Sequence, residues 1–243
     1  MDPGAWRLEV HANGVALVTE MHMLAHQPEA RLALRVAQWI VPEDDPARRW
    51  AEADGLSHVG WSREVELTRE DRDEGSVACQ AWLLAQVEAP ATVLVPSAGP
   101  AAVTDYFEPI DEPHMIRGVE GLRFVVSGRR RYKVGIRTGE HRGVIACWRE
   151  LPAGQALLLV QSFLDAPSSR YLEEPPEKPG HEGDSLYVYN DDGRFGDFGE
   201  IEALGRALEP EVRSVRDRFE MHTWWGERTA VTRLARRLLD MNP

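Results

Sequence analysis

Residues 185–210 read SLYVYNDDGRFGDFGEIEALGRALEP, a strand-like run, an Asp/Gly-rich turn and a second strand-like run. Tyr and Val favour a β-strand before the turn, and Asp and Gly favour the turn itself. Side chains alternate between the two faces of a strand. One face of the second strand therefore carries Phe198, Glu200, Glu202 and Leu204, and the other carries Gly199, Ile201, Ala203 and Gly205. The stretch predicts a β-hairpin with two acids beside an aromatic ring.

The paired acids are the first candidate site. The Cα atoms of Glu200 and Glu202 are expected about 6.6 Å apart at roughly 3.3 Å per residue. If the site is shielded from water, each charge raises the pKa of the other carboxyl. The pair then serves acid/base chemistry or grips hydroxyl groups. The alternative is a solvent-facing strand surface on which the two acids only aid solubility.

The composition indicates one globular domain, residues 1–243. The chain has 243 residues, of which 43% are hydrophobic and 28% charged, a balance typical of globular proteins. Its formal net charge of −12 argues against nucleic acid or an anionic membrane as a partner. No run of 18 apolar residues and no secretory leader pattern occurs. Cys79 and Cys147 lie in apolar strand-like runs, which favours buried free thiols and a cytoplasmic location.

The rest of the chain reads mainly as short strands separated by turns. Asn13-Gly14 between two apolar-rich runs is a strong hairpin signal. The charged residues 42–75 are expected to form a surface connection with a short helix at 46–53, and the proline-rich residues 164–184 a loop. A helix capped by Thr229 is expected at 229–240. Strands are predicted at 6–10, 15–23, 31–41, 76–87, 91–95, 121–126, 132–136, 143–149, 155–163 and 212–225. These elements predict an all-β sandwich or barrel.

Several other clusters carry both a functional and a structural interpretation. Arg129, Arg130, Arg131 and Lys133 form a basic cluster that either clamps a phosphate or carboxylate on a sugar or only decorates a hairpin turn. Glu20, His22 and His26 suggest a metal site, but their spacing favours ordinary surface or core histidines. Asn190-Asp191-Asp192-Gly193 is a fragment of a calcium-loop pattern and is interpreted as a turn. Trp148, Trp224 and Trp225 either line a cleft or pack the core.

Four motifs in the second half of the chain resemble the galactose mutarotase-like superfamily, most closely its uncharacterised members. They are Asp184–Asn190, Phe198–Gly205 with its Glu-x-Glu, Leu208-Glu-Pro210 and His222-Thr-Trp-Trp225. The central meander, with Arg131–Ile136 and Gly143–Trp148, follows the same order of elements. The first half of the chain matches by strand order alone.

The resemblance implies an antiparallel β-supersandwich with a short C-terminal helix and a sheet that binds sugars. In the mutarotases a late glutamate is the base and a mid-chain histidine the acid that open the sugar ring at C1. Glu202 or Glu200 matches the base, and His141 matches the acid by chain order. The expected substrate-binding residues are Phe198, Arg131, Tyr187, Trp148 and Asn190. A sugar or sugar phosphate is the expected partner, with no metal and no cofactor.

The chain departs from that pattern in two ways. It lacks the Asn-His-aromatic motif of the true mutarotases. It is also shorter than the usual member and begins in a strand, which leaves open that N-terminal strands of the full fold are missing. Three functions remain: an aldose 1-epimerase, a carbohydrate-binding module without catalysis, and, ranked last, a glycoside hydrolase or lyase using the glutamate pair. Two acids on one strand rarely flank a scissile bond from opposite sides.

Overall fold

The computed structural model describes residues 5–26, 29–70, 77–99 and 101–243. Within those ranges the chain forms β-strands, one α-helix and two single 3₁₀ turns, Ala51–Ala53 and Pro152–Gly154. The strands are β1 (Arg7–His11), β2 (Gly14–His26), β3 (Glu29–Pro42), β4 (Ser57–Arg69), β5 (Trp82–Glu88), β6 (Ala91–Pro96), β7 (Val103–Asp105), β8 (Met115–Gly118), β9 (Gly121–Val126), β10 (Tyr132–Arg137), β11 (Val144–Leu151), β12 (Gln155–Phe163), β13 (Asp184–Asn190), β14 (Phe198–Leu204) and β15 (Ser214–Glu227). The helix, α1, spans Arg228–Leu239.

The strands form two antiparallel sheets. The larger sheet has ten strands in the order β1-β2-β3-β4-β15-β12-β11-β6-β9-β8. The smaller has five in the order β5-β14-β13-β10-β7. In the smaller sheet the hairpin β13–β14 pairs with β10 on one side and β5 on the other, so residues 82–88, 132–137 and 184–204 lie side by side.

The main hydrophobic core lies between the two sheets. Alternation along β14 sends Ile201 and Ala203 into this core, beside Val188 of β13. From the larger sheet, Val93 and Phe124 complete the same cluster, and all of these side chains are buried. Because the inner face takes the apolar half of each strand, the polar half of β10, β13 and β14 is left on the outer face of the smaller sheet.

A second cluster joins α1 to the other face of the larger sheet. Val231, Leu234 and Leu239 pack with Leu158 of β12 and Trp224 of β15. The helix begins one residue before the predicted Thr229. Its cap is the Glu227 carboxylate, which accepts hydrogen bonds from the backbone N–H groups of Thr229 and Ala230.

Residues 42–75 contain the largest departure from the prediction. Strand β4 occupies thirteen residues of what the sequence indicated as a surface connection. Its outward carboxylates pair across strands with β15, Glu64 and Glu66 lying 3.4 and 3.2 Å from the guanidinium of Arg216. The helix expected at 46–53 is replaced by a turn and the 3₁₀ turn Ala51–Ala53. Residues 71–76 lie outside the described ranges.

The predicted all-β class, an antiparallel β-sandwich with a short C-terminal helix, is confirmed. Cys79 and Cys147 are free thiols, the second of them buried. In the described part of the chain, no helix combines the length and the apolar character that crossing a membrane requires.

Candidate functional site

The outer face of the smaller sheet concentrates acids, a lysine and aromatic rings. Glu202 of β14 is paired in register with Tyr187 of β13, and Glu200 with Tyr189. Lys133 of β10 is paired with Tyr189. We call this surface the acid–aromatic face. Residues 164–184, which link β12 to β13, lie over it and are called the covering segment, and the Glu173 carboxylate of that segment contacts Lys133.

Glu202 is the centre of the acid–aromatic face. Its side chain is fully buried. One carboxylate oxygen, Oε2, accepts hydrogen bonds from Trp82 Nε1 at 2.9 Å and from Lys133 Nζ at 3.1 Å. The other oxygen, Oε1, is buried and has no hydrogen-bond partner within the described structure. A buried acceptor without a partner is costly, so this oxygen marks a position where a donor group would be stabilised.

Lys133 connects Glu202 to the covering segment. Its ammonium lies 2.5 Å from Glu173 Oε1 as well as 3.1 Å from Glu202 Oε2. Three aromatic rings surround it, with centroids 4.7 Å away for Tyr187, 5.5 Å for Trp82 and 5.6 Å for Tyr106. Ring faces attract a cation, and the effect is stronger where water is excluded. The lysine is therefore held in one place by charge from two sides and by aromatic walls.

Burial raises the pKa of the Glu202 carboxyl to about 7, against an ordinary value of 4.5. The Lys133 ammonium works in the opposite direction and keeps the rise from being larger, and the Glu173 carboxylate adds to it. The carboxylate that contributes is thus Glu173 of the covering segment, and not the strand neighbour Glu200 that the spacing suggested. A carboxyl with a pKa near neutrality can both take and return a proton.

A buried hydrogen-bond network adjoins the lysine. Tyr106 donates from its hydroxyl toward Asp184 Oδ2 at 3.1 Å and lies 3.3 Å from the Tyr187 hydroxyl, which donates to the Asp184 carbonyl at 2.8 Å. Burial raises the pKa of the Asp184 carboxyl and of both tyrosine hydroxyls. Asp184 Oδ1 has no partner among the described residues. The network fixes the orientation of the two rings that face Lys133.

Aromatic surface remains open beside the acids. Trp82 is 57% exposed although its indole N–H is bound to Glu202. Phe198 is half-buried, and its ring centroid lies 6.2 Å from that of Tyr189. Glu200 is half-buried and accepts a hydrogen bond from Gln86 Nε2 at 3.2 Å. Apolar ring faces next to buried polar groups are typical of small-molecule sites.

His141 lies elsewhere and has its own partners. Its Nδ1 accepts a hydrogen bond from Gly143 N at 3.0 Å, which places the ring proton of the neutral form on Nε2. Nε2 is 2.8 Å from Ser185 Oγ, and that hydroxyl donates to Asp165 Oδ1 at 3.0 Å. Burial lowers the pKa of His141. None of these contacts includes Glu202, so the structure does not bring the expected acid and base together.

Two of the predicted substrate-binding residues are also placed away from the acid–aromatic face. Asn190 is buried, and its Oδ1 accepts from the backbone N–H groups of Ser127 and Gly128 at 3.0 and 3.1 Å, which holds the turn between β9 and β10. Trp148 belongs to β11 of the larger sheet and packs with the cluster under α1. Phe198 and Tyr187 lie on the acid–aromatic face.

The remaining predicted residue, Arg131, lies in a cleft of about 720 Å³ at the end of β10. We call it the arginine cleft. Its guanidinium carbon is 4.2 Å from the centroid of the Phe107 ring. Arg129, Arg130 and Arg194 line the same cleft, and Tyr106 forms the border that it shares with the acid–aromatic face.

The other sequence hypotheses resolve outside this region. Trp224 is buried under α1, its N–H donating to Asp45 Oδ1 at 3.0 Å, and Trp225 is half-buried. Glu20 and His22 are exposed on β2, and the side chain of His26 lies outside the described part of the chain. Over the described residues, no three His, Cys, Asp or Glu side chains form a group that could hold a metal ion.

Sequence reasoning missed Trp82, Lys133 as the partner of Glu202, Tyr106 and Glu173. Lys133 appeared only as a member of the basic cluster, and Trp82 only as part of a strand. Each of these residues is at least 29 positions from Glu202 in the sequence, and Trp82 is 120 positions away. Strand pairing or a loop brings them into the same site. No local pattern in the sequence encodes such contacts.

Comparison with known proteins adds a family and a structural neighbour. The sequence model of a family of unknown function, DUF6786, matches residues 50–242. No curated protein matches the chain. A crystal structure of an Escherichia coli K12 protein, provisionally described as an aldose 1-epimerase, aligns with 92% of this chain and 69% of its own. The two share 14% identity with a TM-score of 0.49.

Proposed function

The chain belongs to DUF6786, a family of unknown function, and we propose that its acid–aromatic face binds a carbohydrate on which Glu202 acts as a general base. The reaction that fits is the interconversion of the α and β anomers of an aldose. The observation that carries the proposal is the state of Glu202. It is a buried carboxyl with a pKa of about 7 and an unpartnered oxygen, next to an exposed indole.

The surroundings of Glu202 suit a sugar. Carbohydrates place their C–H faces on aromatic rings and their hydroxyls on charged or amide groups. Trp82 offers a half-exposed ring, and Glu202 Oε1 offers an acceptor for one hydroxyl. Glu173 is bound to Lys133 in the structure. A hydroxyl of the substrate would take its place when the covering segment moves away, so that the lysine keeps a partner.

The chemistry needs one base and one acid. Glu202 removes the proton of the C1 hydroxyl while the ring oxygen O5 receives a proton and the C1–O5 bond breaks. The open-chain aldehyde rotates about C1–C2, and the reverse steps close the ring as the other anomer. The Lys133 ammonium, 3.1 Å from Glu202 Oε2, is the acid that gives its proton to O5, and the reverse transfer returns that proton to Lys133 when the ring closes. A base with a pKa near the working pH is well matched to such a reversible transfer.

The experiment is NMR exchange spectroscopy of a panel of free sugars and sugar phosphates with the wild-type protein and Glu202→Gln. We expect accelerated exchange between the α and β signals that disappears in Glu202→Gln, a loss of about 100-fold or more. Glu200→Gln, the same change two residues away, should retain a larger part of the rate. Glu150→Gln, an exposed acid on the larger sheet, is the matched control and should behave as wild type.

Non-catalytic sugar binding is the second candidate, and the position of His141 favours it. The histidine expected as the acid is bound to Gly143 and Ser185 instead of facing Glu202. This alternative predicts line broadening of sugar signals with no anomer exchange in either wild type or Glu202→Gln. A panel that shows neither binding nor exchange would contradict both candidates.

A further inference from the structure

The arginine cleft, of about 720 Å³, has a chemistry that the proposed function leaves unused. Within the described part of the chain, four guanidinium groups face it, from Arg129, Arg130, Arg131 and Arg194. Three consecutive arginines at one turn are notable in a chain whose formal net charge is −12. Guanidinium groups bind phosphate and carboxylate oxygens through two parallel hydrogen bonds, which makes an arginine cluster suited to an oxyanion.

The arginines differ in how far the fold already uses them. Arg130 is committed to the fold, since it forms an ion pair with Asp111 and donates to the Pro109 carbonyl at 3.1 Å. Arg194 lies 3.2 Å from Asp192. Arg129 and Arg131 are both exposed, and in the described structure neither forms an ion pair with a carboxylate. These two groups therefore have donors available for a ligand.

The Phe107 ring restrains the guanidinium group of Arg131 in the cleft. The guanidinium plane of an arginine stacked on an aromatic ring loses little freedom when it binds, and Arg131 lies 4.2 Å over Phe107. The cleft contains the carboxylates of Glu108, Glu177 and Asp192 as well. With four guanidinium groups against three carboxylates the charge is nearly balanced. The site therefore suits one small oxyanion and not a polyanion such as nucleic acid.

The position of the cleft links it to the acid–aromatic face. Arg131 immediately precedes β10 and lies two residues before Lys133 in the sequence. Tyr106 borders the cleft with its ring and contacts Tyr187 and Asp184 with its hydroxyl. A volume of about 720 Å³ exceeds what a phosphate alone would fill, and it adjoins the surface proposed for the sugar ring.

We propose that the arginine cleft binds the phosphate or carboxylate group of an acidic sugar whose ring occupies the acid–aromatic face. This inference rests on the proposed function for the sugar ring and narrows its substrate class to anionic sugars. Arg129 and Arg131 supply the free donors, and Phe107 supports Arg131. Neutral sugars would bind through the ring contacts alone.

The experiment compares a neutral hexose, its uronate and its 6-phosphate by calorimetric titration. We expect at least one of the two anions to bind about ten-fold or more tightly than the neutral sugar, as charge-assisted hydrogen bonds imply. Added salt should weaken the binding of the anionic sugar and leave the binding of the neutral sugar unchanged. The double variant Arg129→Gln/Arg131→Gln should remove the preference and keep neutral-sugar binding. Arg233→Gln, an exposed arginine on α1, is the control, and circular dichroism checks that each variant folds.

Equal affinities for the neutral and anionic sugars, or a preference that survives the double variant, would overturn the cleft proposal and leave the proposed function intact. If no sugar binds, a ³¹P NMR titration with inorganic phosphate decides separately. Phosphate binding that the double variant abolishes would support an anion site while the proposed function fails. Absence of phosphate binding as well would overturn both proposals.

Discussion

Burial of Glu202 destabilises the folded protein and also gives the carboxyl a pKa of about 7, which suits proton transfer. A carboxyl buried among Trp82, Lys133 and Tyr187 resists ionisation because it has lost its water. Only one of its two oxygens is bonded within the described structure. An apolar side chain at this position would avoid that cost. A buried acid with a perturbed pKa in a polar pocket is accordingly more typical of functional sites than of structural ones.

The first prediction concerns the pH dependence of anomer exchange. Glu202 must be ionised to act as a base, and its pKa is raised to about 7 by burial. We therefore expect kcat/KM to rise about ten-fold per pH unit below that value and to level off above it. Exchange rates measured across this range at constant ionic strength provide the check. A profile that is flat through neutrality would contradict the role of Glu202 as base.

The second prediction concerns stability against pH. The folded protein keeps the Glu202 proton up to about pH 7, whereas the unfolded chain releases it near the ordinary value of 4.5. The folded state thus binds more protons between these values, so stability is greatest below the lower value and falls as pH rises through the higher one. The fall is on the order of 3 kcal/mol. Urea denaturation of wild type and Glu202→Gln across the interval should show a slope that is smaller in Glu202→Gln by this amount, since the raised pKa of Asp184 gives both proteins a further slope of the same sign.

The third prediction separates His141 from catalysis. His141→Ala leaves the Gly143 N–H without its acceptor in a buried site and removes the contact to Ser185 Oγ, which keeps its hydrogen bond to Asp165. We expect a loss of about 1–3 kcal/mol in the free energy of unfolding, with the exchange rate per folded molecule unchanged. Denaturation curves and exchange rates from the same samples measure both quantities. A variant that folds and binds sugar but no longer exchanges anomers would restore His141 as the acid.

Side-chain roles were predictable only where they depend on neighbours in sequence. The alternation of Phe198, Glu200 and Glu202 followed from strand geometry, and the structure has it. The partners of Glu202 come from β5 and β10, and which strands pair is decided by the whole sheet. Asn190 shows the opposite case. Its position in the hairpin suggested a ligand contact, but its amide is occupied by backbone groups of a turn 60 or more residues earlier.

Strand β10 contributes Lys133 and also Gly135, whose lack of a side chain leaves space for the hydrogen bond between Tyr106 and Asp184. A Cβ atom on Gly135 would lie 2.4 Å from Asp184 Oδ2 and 2.8 Å from Tyr106 Cε2. Contacts this short do not occur for real Cβ atoms, so Asp184 or Tyr106 would have to shift. The absence of a side chain at this position lets the Tyr106–Asp184 hydrogen bond lie directly over the strand.

The fourth prediction follows from that contact. Gly135→Ala should lower the free energy of unfolding by about 1–3 kcal/mol, since overpacking a buried site forces neighbours out of place. Sugar binding should weaken as Tyr106 moves. The control is Gly118→Ala in β8, where the nearest atom to the new methyl group is 3.5 Å away and the effect should stay within about 0.5 kcal/mol. Chemical denaturation of both variants tests the difference.

Element boundaries were predicted well where apolar residues dominate and poorly where charges do. The predicted strand at 121–126 has the bounds of β9, and 155–163 has those of β12. Strand β4 was missed because Arg63, Glu64 and Glu66 interrupt its apolar positions, Glu64 and Glu66 on the outer face and Arg63 on the face of Val65 and Leu67. The Glu64 and Glu66 carboxylates pair with Arg216 of β15, some 150 residues later, and Arg63 donates a hydrogen bond to Gln38 of β3. Local charge density alone therefore gave the wrong interpretation.

The core between the sheets and the cluster under α1 share the larger sheet, and this bears on how the molecule unfolds. Strand β15 sends Phe219 into the core between the sheets and Trp224 into the cluster under α1. Strand β12 pairs with β15 along nine residue positions and contributes Leu158 to the same helix cluster. If either cluster unpacks, strands β12 and β15 lose contacts, and these strands also support the other cluster. The predicted single domain, residues 1–243, would then unfold as one unit.

The fifth prediction tests that unity with one substitution in each cluster. Leu234→Ala empties a buried site under α1 and should cost about 2–5 kcal/mol, and Ile201→Val in the core between the sheets about 0.5–1.5 kcal/mol. Both substitutions should shift one common transition, seen alike by tryptophan fluorescence and by far-ultraviolet circular dichroism. Two transitions, with only one of them moved by each substitution, would instead mean that α1 and its cluster form a separate folding unit. Leu234 contacts neither Glu202 nor the arginine cleft. The folded Leu234→Ala protein should therefore bind sugar with unchanged affinity. That result would show that the stability of the fold and the binding of sugar depend on different residues.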